Sequence, residues 1–237
     1  MKYAIETKNL AKKFGFRIVV DSVNLKVPEG SVTALVGENG AGKTTTLSMI
    51  SGLVRPTLGQ MIILGKDISE TDVIREDVGV ALQKSSFDPH RKALDTLMFY
   101  ASLKGIKKED ARVECTELLK KVDMEEHAET RIKEMSHGML KMMEFANALI
   151  GDPRVLILDE PASGLDPEYY HKLKELIKGF GKNKTVLLAS HNLDFVSEVC
   201  DHVAVMHKGK IMIQEKEKKL AHGKALEKVF VDLMKKF

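Results

Sequence analysis

Cysteine is scarce in these 237 residues: Cys115 and Cys200 are the only two, they form no CxxC pair, and neither has a histidine at ligand spacing beside it. Neither a disulfide framework nor a zinc site is indicated, and both side chains read as ordinary reduced thiols. Long hydrophobic runs are missing as well. The longest, among them Val155 to Leu158 and Thr185 to Ala189, fall far short of the roughly 18 residues that a membrane-spanning helix needs, so no segment is expected to cross a bilayer. The opening Met1-Lys2-Tyr3-Ala4-Ile5-Glu6 has an early acid and no apolar core, unlike a secretory signal, and residence in the cytosol is expected. An excess of one charge is also lacking. The 37 basic and 34 acidic side chains are intermixed and leave a net +3, the balance of a solvated surface and not of a nucleic-acid footprint, so no nucleic acid is expected as a partner. Repeats and low-complexity segments are absent.

What is present is 43 % hydrophobic content, enough for one large globular domain or two small ones. Strand-like stretches dominate the first third, at Tyr3 to Thr7, Ile18 to Val27, Ser31 to Val36, Gly59 to Leu64 and Val78 to Leu82, with Gly and Pro between them. From Phe87 to Ile150 the apolar residues take helical spacing, seen in Ala93, Leu97, Tyr100 and Ala101 and again in Val113, Leu118, Leu119 and Val122. Strand and helix alternate again after Gly151-Asp152-Pro153: Val155 to Leu158, a helix from Pro167, Thr185 to Ser190, a helix from Leu193, and His202 to Met206. The class is therefore α/β with a mostly parallel sheet. The charge run Gln214 to Lys219 reads as a solvated connector. Leu226, Val229, Phe230, Leu233 and Phe237 sit at helical spacing, read as a terminal helix packed on its own domain.

Two stretches carry chemistry. Gly37-Glu38-Asn39-Gly40-Ala41-Gly42-Lys43-Thr44-Thr45 follows the strand-like Val32 to Val36 and precedes a helical stretch, Thr44 to Ile50. Glycines there let successive N–H groups point inward at a phosphate chain, Lys43 can reach the β- and γ-phosphates, and the Thr44 hydroxyl can sit on a magnesium ion. The helix dipole favours the same anion. A plain glycine-rich turn would leave Lys43 and Thr44 unexplained. The second stretch is Val155-Leu156-Ile157-Leu158-Asp159-Glu160, a buried strand that delivers two carboxylates to the carboxyl end of the sheet, where ligands bind in open α/β folds. Asp159 suits magnesium and Glu160 suits an attacking water.

With these residues the whole chain resembles the ATP-binding subunit of an ATP-binding-cassette (ABC) transporter, and seven motifs stand in that family's order. Phe14 matches the aromatic on which adenine stacks. Gly37 to Thr45 match Walker A. Gln83 matches the Q-loop glutamine that reaches magnesium and the water. Ser136-His137-Gly138 stands at the signature. Asp159 and Glu160 match Walker B and the catalytic glutamate. Ser163-Gly164-Leu165-Asp166 matches the D-loop, and His191 the switch histidine. Taken singly, a Gln after a strand, a Ser-x-Gly helix cap, a polar turn or a His at a strand end would be ordinary; their order and spacing are not. The signature departs from the usual Leu-Ser-Gly-Gly-Gln, reading Met135-Ser136-His137-Gly138-Met139. A signature ending in Gly-Met, with the basic Lys141 two residues on, is more similar to exporter ATPases of the ABC-2 type than to sugar or amino-acid importers. No role is assigned to His137, His202 or His207.

The resemblance implies a P-loop NTPase core with an antiparallel β flank and an inserted α-helical subdomain, divided as 1–84 plus 153–237 for core and flank and 85–152 for the helices. It implies ATP hydrolysis with Mg2+ held by Thr44, Gln83 and Asp159, catalysis by Glu160, His191 and Lys43, and a second nucleotide-binding subunit, homo- or heterodimeric, whose Ser136 and Gly138 complete each site in trans. It also implies a separate transmembrane permease that holds the chain peripherally at the cytoplasmic face of the membrane, with export as the direction. One alternative is an ABC ATPase that remodels a protein or nucleic-acid complex without a permease. Another is a P-loop small-molecule kinase, which would lack Gln83, Ser136, Asp166 and His191.

Overall fold

Short apolar runs and the turns between them set the layout of the first sheet. A computed structural model describes residues 2–67, 76–82, 87–181, 183–217 and 228. Strand β1 (Tyr3–Phe14) pairs antiparallel with β2 (Arg17–Val23) through a hairpin closed at Gly15, with β3 (Lys26–Pro28), and on its other edge with β5 (Leu58–Ile63), which is flanked by β6 (Lys66–Asp67). The single strand expected from Ile18 to Val27 is thus two strands. Asn24 turns the chain between them: its amide donates to the Ser22 carbonyl at 3.0 Å and its side-chain oxygen accepts from the Asn9 N–H at 2.9 Å. Asn9 and Ser22 both take positive φ there, which ends regular pairing.

The second sheet contains β4 (Val32–Val36), β7 (Val78–Ala81), β8 (Val155–Asp159), β9 (Thr185–Ser190), β10 (His202–His207) and β11 (Lys210–Lys216). Among the described residues its order is β11-β10-β4-β9-β8-β7, parallel except for the antiparallel edge strand β11. Strands β4, β8 and β9 are buried along their whole length, which is why they read as unbroken apolar runs. Alternate residues feed two cores. Val36, Leu156, Leu158 and Leu188 face the helical side, whereas Leu35, Val155, Ile157 and Leu187 face the β flank. Gln214, Glu215 and Lys216, expected in a solvated connector, are the end of β11. An edge strand tolerates such charges, and Gln214 pairs with the Lys26 backbone, tying the second sheet to the first.

Helix α1 (Lys43–Ile50) follows β4. Helices α2 (Ala93–Leu103), α3 (Lys108–Lys121) and α4 (His137–Leu149) all lie in the connection between the neighbouring parallel strands β7 and β8. On α3 the buried positions are Ala111, Cys115, Leu118 and Leu119, while Val113 is 67 % exposed. The helical stripe expected there is real, but Val113 is not part of it, since two residues from Ala111 or Cys115 is half a turn round the helix. Cys115 is a free thiol in this core, pushed up to about 12 by burial, and Cys200 is likewise raised by burial. Helices α5 (Pro167–Phe180) and α6 (Leu193–Val199) start on side-chain caps from Asp166 and Asn192. Among the described residues no helix is long and apolar enough to cross a membrane. The apolar series from Leu226 to Phe237 lies outside the described residues.

Candidate functional site

Strand register brings three chain segments to one edge of the sheet. Val36 lies opposite Ser190, and Asp159 opposite Ala189. The residues that follow β4, β8 and β9, namely Gly37, Glu160 and His191, therefore emerge side by side at the carboxyl ends of the strands, where open α/β sheets bind ligands.

The loop from Gly37 to Gly42 is held from behind. A Cβ on Gly37 would lie 2.3 Å from the Met206 carbonyl oxygen, and one on Gly42, whose φ is +105, would lie 2.7 Å from that of Val19. The Gly209 N–H donates to the Ala41 carbonyl at 2.9 Å, and the Gly209 carbonyl in turn accepts from Asp21 at 2.8 Å. The β flank thus braces the loop through the turn between β10 and β11. Glu38, Asn39 and Gly40 face solvent, and Ala41, Gly42 and Lys43 are buried. Among the described residues helix α1 has no side-chain cap, and no acid stands in its first turn, so its N-terminal amides and dipole are presented to an anion. Thr44 is exposed and Thr45 half-buried at that end.

Lys43, Glu160 and His191 form one cluster. The Lys43 amine donates to the carbonyls of Gly37 at 2.8 Å and Glu38 at 3.2 Å, and lies 3.9 Å from Glu160 Oε1. Burial lowers its pKa, against the opposing pull of Glu160 and Asp159. Glu160 Oε1 is 2.8 Å from His191 Nδ1, and Oε2 accepts from the His191 N–H at 3.4 Å. Glu160 has φ +48, outside the strand conformation, while its N–H still bonds to the Ala189 carbonyl at 2.9 Å. Asp159 is 1 % exposed, and among the described residues neither carboxylate oxygen has a hydrogen-bond partner. Its pKa is raised chiefly by burial, with the nearby Thr44 hydroxyl pulling the other way. Two orphaned buried oxygens beside a hydroxyl fit a hard divalent cation.

The remaining candidates sit on other elements. Phe14 is 52 % exposed at the tip of the β1–β2 hairpin, with the Lys12 amine 4.9 Å from its ring centroid. Ser136 caps α4 by accepting from the Met139 N–H at 3.2 Å, and Asp166 caps α5 by accepting from Tyr169 at 3.1 Å. Gly138 is pressed against the Tyr169 ring, 2.5 Å from where a Cβ would stand. Among the described residues neither Ser136 nor Gly138 makes a hydrogen bond to Lys43, Glu160 or His191. Gln83 lies outside the described residues. Sequence reading missed two features here. His137 touches the Ser163 carbonyl at 3.3 Å, and Lys141 and Glu144 form a buried ion pair of 2.9 Å on α4, close enough for Lys141 to act on Asp159. A Lys and a Glu three apart on a helix is a visible signal; nothing local to His137 points to Ser163.

Comparison with known proteins identifies a family. A family model described as ABC transporter matches residues 20–163. The Nod factor export ATP-binding protein I of Cupriavidus metallidurans is 33 % identical over 229 residues, covering 96 % of this chain and 73 % of that protein. The retinal-specific phospholipid-transporting ATPase ABCA4 of Mus musculus is 35 % identical over 207 residues, which is 86 % of this chain, although the chain spans only 9 % of that protein's length. In three dimensions the chain is similar to the ATP-binding cassette MJ0796 in a dimeric post-hydrolysis state bound to ADP and Pi. That match has a TM-score of 0.82 and 25 % identity, covering 90 % of this chain and 98 % of the other. The chain belongs to the ABC transporter family and has the fold of its ATP-binding cassettes.

Proposed function

We propose that the chain is the ATP-binding and ATP-hydrolysing subunit of an ABC transporter, powering export through a separate membrane permease at the cytoplasmic face of the membrane. The observation that carries this reading is the meeting of Lys43, Glu160 and His191 beside the uncapped N-terminus of α1. The export direction is supported by the relative named for Nod factor export.

The braced loop from Gly37 to Thr45 cradles the triphosphate with backbone N–H groups, those of Glu38, Asn39, Gly40, Ala41 and Gly42 included. Lys43 trades its carbonyl partners for phosphate oxygens, a charge-assisted exchange. Phe14, exposed at its hairpin tip, offers a face for adenine. Glu160 orients and polarises the water that attacks the γ-phosphate in line, and His191 holds the carboxylate in that orientation. Thr44 and Asp159 would hold Mg2+, with Gln83 as a further ligand. When bound, the ion would supply positive charge to offset that of the phosphates.

Ser136 and Gly138 act in trans, on the nucleotide of a second subunit. The likeness to a dimeric cassette supports this, as does the absence, among the described residues, of any hydrogen bond from either residue to Lys43. Asp166 belongs to the turn that accompanies them. We further assign residues 1–84 and 153–237 to the nucleotide-binding core and 85–152 to the helical part that meets the permease.

The test is Glu160→Gln in the full chain. ATP binding is retained, turnover of ATP to ADP and phosphate falls to background, and an ATP-dependent dimer accumulates in size-exclusion chromatography. Undiminished turnover removes Glu160 from the mechanism. Transport is tested separately by copurification: a multi-span membrane protein supports it, and a ribosomal or DNA partner overturns it.

A further inference from the structure

We propose that His137 is a positioning residue that fixes the turn carrying Glu160 against the start of α4; this rests on the ATPase reading above. His137 stands where the family's usual signature has glycine, so the contact belongs to this chain's own sequence. Its Nε2 lies 3.3 Å from the Ser163 carbonyl oxygen. That oxygen can only accept, so the ring presents its Nε2–H. The imidazole lies so close over Gly164, whose φ is +72, that a Cβ there would be 2.9 Å from Nε2.

The turn is tied at its other end to the catalytic strand. The Ser163 N–H donates to the Glu160 carbonyl at 3.2 Å. One residue beyond His137, Gly138 packs on Tyr169 and would place a Cβ 3.3 Å from Asp166 Oδ2. Residues 163–166 are therefore held between the first turn of α4 and the backbone of Glu160. Glu160 occupies a left-handed conformation, which persists only where its surroundings hold it. His137 makes no hydrogen bond to Lys43, Glu160 or His191 among the described residues, so its influence on them passes through Ser163. Loss of the contact loosens the turn while leaving the nucleotide-binding loop untouched.

The test compares wild type, His137→Ala and His137→Gln in the full chain, by ATP turnover against ATP concentration and by amide hydrogen exchange over residues 160–166 without nucleotide. In His137→Ala, exchange there rises and kcat falls, each by about fivefold, the scale of one lost hydrogen bond, while KM for ATP stays within about twofold of wild type. In His137→Gln, whose side-chain N–H can reach the same carbonyl, both return close to wild type. Equal behaviour of the two variants, or unchanged exchange in His137→Ala, overturns the proposal. So does a rise in KM alone, which makes His137 a direct contact of the partner's nucleotide. If wild type itself turns over no ATP, the ATPase reading fails, while the exchange comparison still decides whether His137 holds the turn.

Discussion

The Lys43 amine and the Glu160 carboxylate stand 3.9 Å apart with less than a tenth of either side chain exposed, yet each is better bonded elsewhere. Lys43 donates to the Gly37 and Glu38 carbonyls, and Glu160 sits 2.8 Å from His191. The direct pair is therefore loose, and the amine is free to exchange a neutral acceptor for a charged one. Replacing Lys43 with Ala is expected to weaken ATP binding about 10- to 100-fold, the value of one charge-assisted hydrogen bond to a charged group. Calorimetric titration measures this, and unchanged affinity would remove Lys43 from the phosphate site.

Phe14 separates binding from stability. Because the ring is half exposed at a hairpin tip, Phe14→Ala is expected to change unfolding free energy by less than about 0.5 kcal/mol. ATP affinity should fall about three- to tenfold, as for a lost aromatic contact, and Phe14→Tyr should keep it. A variant that melts early but binds ATP normally would make Phe14 a structural residue.

Gly79 is a packing position of a different kind. A Cβ added there would stand 1.8 Å from the Ala148 carbonyl oxygen, so α4 lies flush on β7 with no room for a methyl group. Gly79→Ala is expected to cost about 1–3 kcal/mol through forced backbone movement. Urea denaturation reads this as a lower midpoint with an unchanged slope.

Asp77 and Arg154 clamp the starts of the neighbouring strands β7 and β8 through paired bonds of 2.8 and 3.0 Å. Hydrogen bonding to Arg154 lowers the Asp77 pKa. The folded chain thus binds this proton less tightly than the unfolded chain does. The stabilisation is complete above the unfolded carboxyl value of about 3.9 and is lost as pH falls through the lower folded value. Asp77→Asn should therefore cost about 0.5–1 kcal/mol at pH 7, with the difference from wild type vanishing in strong acid. A difference that persists at pH 2 would mean the pair acts through packing.

Much of this was legible in the sequence because it is local. The buried runs of β4, β8 and β9 need no knowledge of their neighbours, and Gly37 to Thr45 carries its chemistry in one stretch. Asp159 and Glu160 announce themselves at the end of an apolar strand. The proximity of His191 to Glu160 is different, since it comes from the pairing of β8 with β9 and could be inferred only through the family's motif order. The break between β2 and β3, set by Asn24 reaching across to Asn9, is a tertiary event. The charged edge strand β11 and the outward-facing Val113 were misread for a related reason: composition and spacing do not say which side meets water. The contact of His137 with Ser163 joins residues 26 positions apart and leaves no periodic trace.

The backbone of Glu160, at φ +48, limits which residues this position accepts. At that position glycine would relax the chain, and a β-branched residue would strain it further. Substitution by Gly relieves the backbone but removes the buried carboxylate that faces His191 and Lys43, whereas substitution by Val removes it and adds strain. Backbone ease and the contacts of the carboxylate therefore pull residue 160 in opposite directions.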